Sequence, residues 1–101
     1  MNFKAFFLVL AFFGGISSAQ AALYGVELEW GEVEDAQSYE VELVSLKSEK
    51  PKIYRTKDTV WSGKVEPGKY KMRIRALDSR SAPGAWSGYQ EFMVLVPPPK
   101  R

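Results

Sequence analysis

The chain has 101 residues, a formal net charge of +2, and neither cysteine nor histidine. This length allows one domain, and the lack of the usual general bases, thiolates and soft-metal ligands argues against enzyme chemistry, a metal centre or a cofactor site. The near-neutral charge gives no indication of a nucleic-acid partner.

The first 21 residues have the pattern of a secretory signal peptide. Lys4 precedes an apolar run over residues 5–13, and the small residues Ala19 and Ala21 follow. This run is well short of the roughly 20 apolar residues that a membrane-spanning helix needs. We therefore predict cleavage before Ala22, export to the periplasm or the cell surface, and no stable membrane span in the mature protein. An uncleaved anchor and a buried core helix are the alternatives.

After residue 22 the chain alternates apolar and polar residues with the period of two that is typical of half-buried strands. Six strands are predicted, at residues 26–30, 39–43, 53–56, 59–61, 70–76 and 89–96. Polar and Pro-Gly segments separate them, which indicates an all-β sandwich of six to seven antiparallel strands. The domain is expected to cover residues 22–96, and a proline-rich basic tail follows over residues 97–101.

Four short motifs resemble those of fibronectin type III domains, in the order in which that family carries them. The motifs are Leu28-x-Trp30, Ala36-x-x-Tyr39-x-Val41, Val65-x-Pro67-Gly68-x-Tyr70-x-Met72-x-Ile74-x-Ala76 and Trp86-Ser87, and the resemblance as a whole covers about residues 26–94. The resemblance implies an immunoglobulin-like sandwich with Trp30 in the core and Tyr70 at the tyrosine corner, its hydroxyl bonded to backbone. It also implies a binding module, and this functional inference rests on family likeness alone.

The predicted core consists of residues that face inward on these strands: Leu28, Trp30, Tyr39, Val41, Leu43, Tyr70, Met72, Ile74, Ala76 and Phe92. The family begins with a strand that pairs with its second strand, but the predicted mature chain has only residues 22–25 available for it. A first strand that is short or missing leaves Val26-Glu27-Leu28-Glu29 at an exposed sheet edge. Glutamates could shield this edge, residues 23–24 or the tail could cover it, or a partner strand or a second copy could pair with it.

The outer face of the predicted strand 70–76 carries a row of cations, Lys71, Arg73 and Arg75. In the resembled fold this strand lies beside the one that carries Glu40 and Glu42. Opposite charges across strands stabilise a sheet, so a self-neutralising ladder is one interpretation. Binding of phosphate or an acidic glycan is the other.

Trp86 and Tyr89 follow this strand in the sequence, but nothing in the sequence places them and Trp61 on one surface. Trp86 could stack on Arg73 or Arg75, or form an aromatic platform for a sugar or peptide with Tyr89 or Trp61. The acidic loop residues Glu32, Glu34 and Asp35 lack the spacing of a calcium loop, so we interpret that loop as solvated.

Together with the predicted export, the family resemblance implies a non-catalytic protein–protein interaction or adhesion module of the cell envelope. A carbohydrate- or glycan-contacting accessory protein that uses Trp86, Tyr89 and the row of cations is the first alternative. The second is a structural surface subunit that assembles through the exposed edge strand into a homo-oligomer.

Overall fold

The computed structural model describes the backbone of residues 9–16 and 23–95, and the side chains of residues 23–95. Seven strands form: β1 (Val9–Ile16), β2 (Leu23–Glu29), β3 (Ser38–Ser45), β4 (Pro51–Thr56), β5 (Val60–Val65), β6 (Gly68–Leu77) and β7 (Gln90–Val94). The described part of the chain contains no helix long and apolar enough to cross a membrane. The predicted cleavage point and the tail over 97–101 lie outside the described residues.

The strands form two antiparallel sheets, one with the order β1-β2-β5 and one with the order β4-β3-β6-β7. The chain passes from one sheet to the other after β2, after β4 and after β5. Strands β2 to β7 correspond to the six predicted strands, with boundaries that differ by a few residues. The predicted sandwich of antiparallel strands is therefore confirmed as an all-β arrangement of two sheets.

The core lies between the inward faces of the two sheets, where the alternation places every second residue. Leu28 from one sheet and Met72 and Ile74 from the other are fully buried. Nine of the ten predicted core residues are buried, and Phe92 is only partly so. Phe92 lies on the edge strand β7, where its ring stacks on Tyr70 at 5.5 Å between centroids.

The prediction of a short or missing first strand is wrong for the full-length chain. β1 pairs antiparallel with β2, from Val9 opposite Glu29 to Phe13 opposite Gly25. The segment Val26-Glu27-Leu28-Glu29 is therefore an inner strand while β1 is present, with β5 on its other side. A short apolar run suits a buried strand as well as a signal sequence. The alternatives given above for residues 9–16 did not include a strand.

The corner between β5 and β6 is fixed by Tyr70. Its ring is buried, and its hydroxyl donates a hydrogen bond to the backbone carbonyl of Glu66. Gly68 has a φ of 143°, a backbone conformation that favours glycine. Burial raises the pKa of the Tyr70 hydroxyl, and the nearby Glu66 carboxylate raises it further.

Candidate functional site

The outer face of the four-stranded sheet carries five interacting charged residues, which we call the charged ladder. They are Arg55 on β4, Glu40 and Glu42 on β3, and Arg73 and Arg75 on β6. The antiparallel register places Glu40 directly opposite both Arg55 and Arg75, and Glu42 opposite Arg73. The ladder therefore follows from the alternation of the three strands and from their register.

Glu40 joins the arginines on either side of β3. Its Oε2 accepts a hydrogen bond from Arg55 Nη2 at 3.0 Å, and its Oε1 accepts one from Arg75 Nε at 2.8 Å. Burial alone would raise the pKa of this carboxyl, but the hydrogen bonds from Arg55 and Arg75 and their charges outweigh it and hold the pKa below its usual value. Glu40 therefore stays ionised and ties β4, β3 and β6 together.

Glu42 is the buried member of the ladder, at 7% exposure. Its two oxygens accept hydrogen bonds from Arg73 Nε and Nη2 at 2.9 and 3.3 Å, a bidentate pair. Its Oε1 also accepts one from the Tyr89 hydroxyl at 2.7 Å. Burial opposes ionisation of Glu42, but these donors outweigh it and lower its pKa, whereas the same bond raises the pKa of Tyr89.

Two aromatic residues, the aromatic cover, lie against the cations of β6. The Trp86 ring centroid is 4.3 Å from Arg75 Cζ and 4.5 Å from Arg73 Cζ. The Tyr89 ring centroid is 4.6 Å from Arg73 Cζ and 4.2 Å from Lys71 Nζ. All three cations therefore make contacts of the cation–π type within the protein.

Ser87 explains why the segment before β7 lies along β6. Its backbone N–H donates to the carbonyl of Ile74 at 2.7 Å, and its hydroxyl accepts a hydrogen bond from the N–H of Ile74 at 2.9 Å. The N–H of Gly84 donates to the carbonyl of Ala76 at 2.8 Å. This segment thus provides hydrogen-bond partners for backbone groups of β6 beyond the end of its pairing with β7, and it holds Trp86 over the arginines.

The structure brings together most of the residues predicted as a binding surface, namely Lys71, Arg73, Arg75, Trp86 and Tyr89. Their arrangement corresponds to the ladder and stacking interpretations, because Arg73 and Arg75 bond to glutamates and lie against the rings. Trp61 does not join them: it lies on β5 in the other sheet, with its ring 4.7 Å from that of Tyr54.

Sequence reasoning missed Arg55 and the hydroxyl of Tyr89. Arg55 alternates with Tyr54 on β4, so its outward orientation was readable from the sequence. Its register opposite Glu40 depends on the geometry of the turn between β3 and β4, which the sequence does not specify. The bond from Tyr89 to Glu42 joins residues 47 positions apart, and no local pattern indicates it.

The acidic loop does not form a cation site in the structure. Within residues 23–95, no group of three or more acidic side chains is placed to hold a metal ion. The loop instead lines a groove at one end of the sandwich together with Lys57 and Asp58.

Comparison with known proteins adds no assignment. No protein-family model, curated protein or solved structure matches the chain.

Proposed function

We propose that the chain is an exported, non-catalytic binding module of the fibronectin type III kind, and that β2 receives a strand from a partner protein after residues 1–21 are removed. The observation that carries this proposal is the pairing of β1 with β2. The proposal has three parts: the type of fold, the export, and the site of binding.

The type of fold is supported by the position of Tyr70 and by the arrangement of the sheets. A tyrosine near the start of a strand, bonded to backbone a few residues upstream, is the tyrosine corner of immunoglobulin-like sandwiches. Tyr70 bonds to Glu66 in this way. Trp30 is buried against Tyr39, with an edge-to-face contact at 5.7 Å. The division into three and four antiparallel strands fits the same family.

The export is supported by the signal-like residues 1–21, which contain all of β1. Removal of these residues takes away the strand that covers β2. Alternate residues of β2 would then present unpaired backbone groups at the edge of a three-stranded sheet reduced to two strands. Such an edge favours the addition of an extended segment, through main-chain hydrogen bonds.

The backbone of Glu27 faces the position of β1. The N–H of Trp30 donates to the carbonyl of Thr59, next to β5. Alternate residues of a strand direct their backbone groups to the same neighbour, so those of Glu27, three positions earlier, point the other way. Glu27 lies opposite Ala11 of β1 in the register. A proline at this position therefore removes a donor to the added strand and leaves the pairing with β5 in place.

The chemistry of the added strand is indicated by β1 itself. The sequence of β1, VLAFFGGI, is uncharged and mostly apolar, and it runs antiparallel to β2. The expected partner segment is therefore an extended, uncharged, apolar strand. Main-chain bonding supplies affinity in this mode of recognition, and side chains supply specificity.

The test uses the chain from residue 22 onward and a synthetic peptide with the sequence of β1, carrying a solubilising tag. We expect a complex of one peptide per chain, and a gain in stability of about 2.7 kcal/mol when the peptide is at 100 times its dissociation constant. Glu27→Pro should abolish binding, whereas Glu27→Thr, which retains the N–H, should not. A folded chain that does not bind the peptide, or equal binding by the proline variant, contradicts the proposed site.

Export is tested separately by determining the N-terminal residue of the protein in the cell envelope fraction of its own cells. We expect Ala22 at the N-terminus. A protein that retains residues 1–21 in that fraction would keep β1, and the site on β2 would then stay covered.

A further inference from the structure

One end of the sandwich carries an excess of positive charge that the charged ladder does not use. A groove of about 710 Å³ is lined there by four lysines and one acidic residue, a balance of +3: Lys47, Lys50, Lys52, Lys64 and Glu66. We call it the basic groove. All four lysines are exposed, and none takes part in the ion pairs formed among residues 23–95.

The other end carries the opposite charge on a groove of similar size. A volume of about 690 Å³ is lined by four acidic residues and one lysine, a balance of −3: Glu32, Glu34, Asp35, Asp58 and Lys57. We call it the acidic groove. The ion pairs described for residues 23–95 involve none of these carboxylates.

The strand register places the two grooves at opposite ends of the molecule. Val60 lines the acidic groove and lies opposite Glu29, at the end of β2. Val65 lines the basic groove and lies opposite Tyr24, near the start of β2. Val65 lies five residue steps beyond Val60 on β5, a distance of roughly 17 Å at about 3.3 Å per step. The domain therefore has a negatively charged end and a positively charged end along the direction of its strands.

We infer that the acidic groove of one molecule binds the basic groove of a second copy, head to tail. Both grooves belong to the same chain and carry opposite balances of −3 and +3. A two-fold dimer formed by either groove with itself would bring like charges together, whereas a head-to-tail contact pairs opposite charges. The exposed lysines have long, flexible side chains that can reach carboxylates across such a contact.

This contact is independent of the strand addition proposed for β2. The basic groove is lined mainly by the turn between β3 and β4, by β4 and by β5, and its one residue from β2 is Leu23 at the start of that strand. Tests on the full chain, in which β1 covers β2, therefore report on the grooves alone. If the head-to-tail contact is not observed, the proposed strand addition to β2 is not affected. A failure of strand addition would likewise not affect the head-to-tail contact.

The experiment measures the association of the full chain by sedimentation at several protein concentrations. We expect oligomers whose size grows with concentration and whose association constant falls about tenfold between about 20 and 200 mM NaCl, as the Debye length shrinks from roughly 20 to 7 Å. The double variants Lys50→Glu/Lys52→Glu and Glu32→Lys/Glu34→Lys reverse the balance of one groove each and should be monomeric. Lys69→Glu/Arg80→Glu is the matched control for the lysine variant, because it lowers the net charge by the same amount at positions outside both grooves.

A mixture of the two groove variants provides the decisive measurement. Each variant alone has two grooves of the same sign, but the mixture again offers opposite pairs, so association should return. Near-ultraviolet circular dichroism checks that each variant is folded. A monomeric wild type at low salt, or groove variants that associate as the control does, would overturn the inference. Binding of a glutamate-rich peptide to the basic groove of a chain that stays monomeric would also overturn it and would assign that groove to an acidic protein partner.

Discussion

The Arg75 guanidinium lies 4.3 Å from the centroid of the Trp86 ring and, through Nη2, 2.7 Å from Oε1 of Glu40. Arg75 thus links the ion pair between β3 and β6 to the segment that precedes β7. Arg73, two residues before Arg75 on β6, repeats this arrangement. It lies between Glu42 and the two rings of the aromatic cover. The outer face of the sheet is therefore a layered structure of carboxylates, guanidinium groups and rings.

Trp86→Ala should destabilise the domain by about 1–3 kcal/mol, because it removes a half-buried ring and its contacts with two arginines. Trp86→Phe should recover part of the loss, since a ring remains but stacks less strongly. Urea unfolding measures both effects. Leu95→Ala, at a site 62% exposed, is the control and should change little. An unchanged unfolding free energy for Trp86→Ala would mean that the stack does not stabilise the fold.

Glu42→Gln should cost about 1.5–3 kcal/mol, the range for hydrogen bonds to charged groups. The amide keeps the shape of the carboxyl but leaves Arg73 without its charged partner. Glu40→Gln should cost less, because Glu40 is the more exposed of the two side chains. A double-mutant cycle with Arg73→Met should give a coupling free energy above about 0.5 kcal/mol. Additive losses would show that the pair contributes little.

The stability of the domain should decrease in acid because of Glu40 and Glu42. Both carboxyls have lowered pKa values in the folded state, so the unfolded chain binds their protons first as the pH falls. Their contribution is complete well above an unfolded pKa of about 4.3 and is lost as the pH passes below it through the folded values. Unfolding free energies measured from neutral pH to about pH 3 should fall less steeply for Glu40→Gln/Glu42→Gln than for wild type. Equal slopes would contradict this assignment, and Glu29→Gln is the control.

Tyr70→Phe should destabilise the corner between β5 and β6 by about 1 kcal/mol, the typical net value of one hydrogen bond. The ring and its stacking on Phe92 remain, so the loss isolates the bond to the carbonyl of Glu66. Phe92→Leu provides the complementary variant, which removes the stack and keeps the bond. A neutral Tyr70→Phe substitution would show that water replaces the hydroxyl at this corner.

Gly63→Ala should destabilise the sandwich through Trp61. A β-carbon at residue 63 would clash with the six-membered ring of the Trp61 indole, so the indole must move. Overpacking of this kind typically costs about 1–3 kcal/mol. Gly88→Ala is the matched control, because a β-carbon there meets no atom within 4 Å. Tryptophan emission, to which Trp61 contributes together with Trp30 and Trp86, should shift in Gly63→Ala and stay unchanged in the control, and an unshifted spectrum would contradict the expected clash.

Much of the fold was predictable because the alternation of apolar and polar residues along a strand shows which side chains face the core and which face solvent. Leu28, Met72 and Ile74 were assigned to the core from period two alone, and all three are fully buried. The family resemblance implied that the strand with Lys71, Arg73 and Arg75 lies beside the strand with Glu40 and Glu42, and β6 does pair with β3, although the sequence did not predict which residues lie opposite each other. These are cases in which local pattern and global fold agree.

The remaining features depend on information that no local pattern contains. The pairing of β1 with β2 was missed because an apolar run has no polar alternation to distinguish a strand from a signal sequence. The two grooves were missed because each collects residues from several loops and strand ends. Lys50 and Lys64 are distant in the sequence and meet only through the packing of β4 near β5.

The pairing of β1 has a consequence for the order of events in the cell. If the chain is exported as proposed, the export machinery would have to recognise residues 1–21 as an accessible apolar segment, whereas residues 9–16 within it form a strand of the sheet. Recognition and folding therefore compete for one stretch of chain. A precursor that completes its sandwich in the cytoplasm would bury the segment that directs its export. Secretion would then require that the nascent polypeptide be captured before β2 is synthesised.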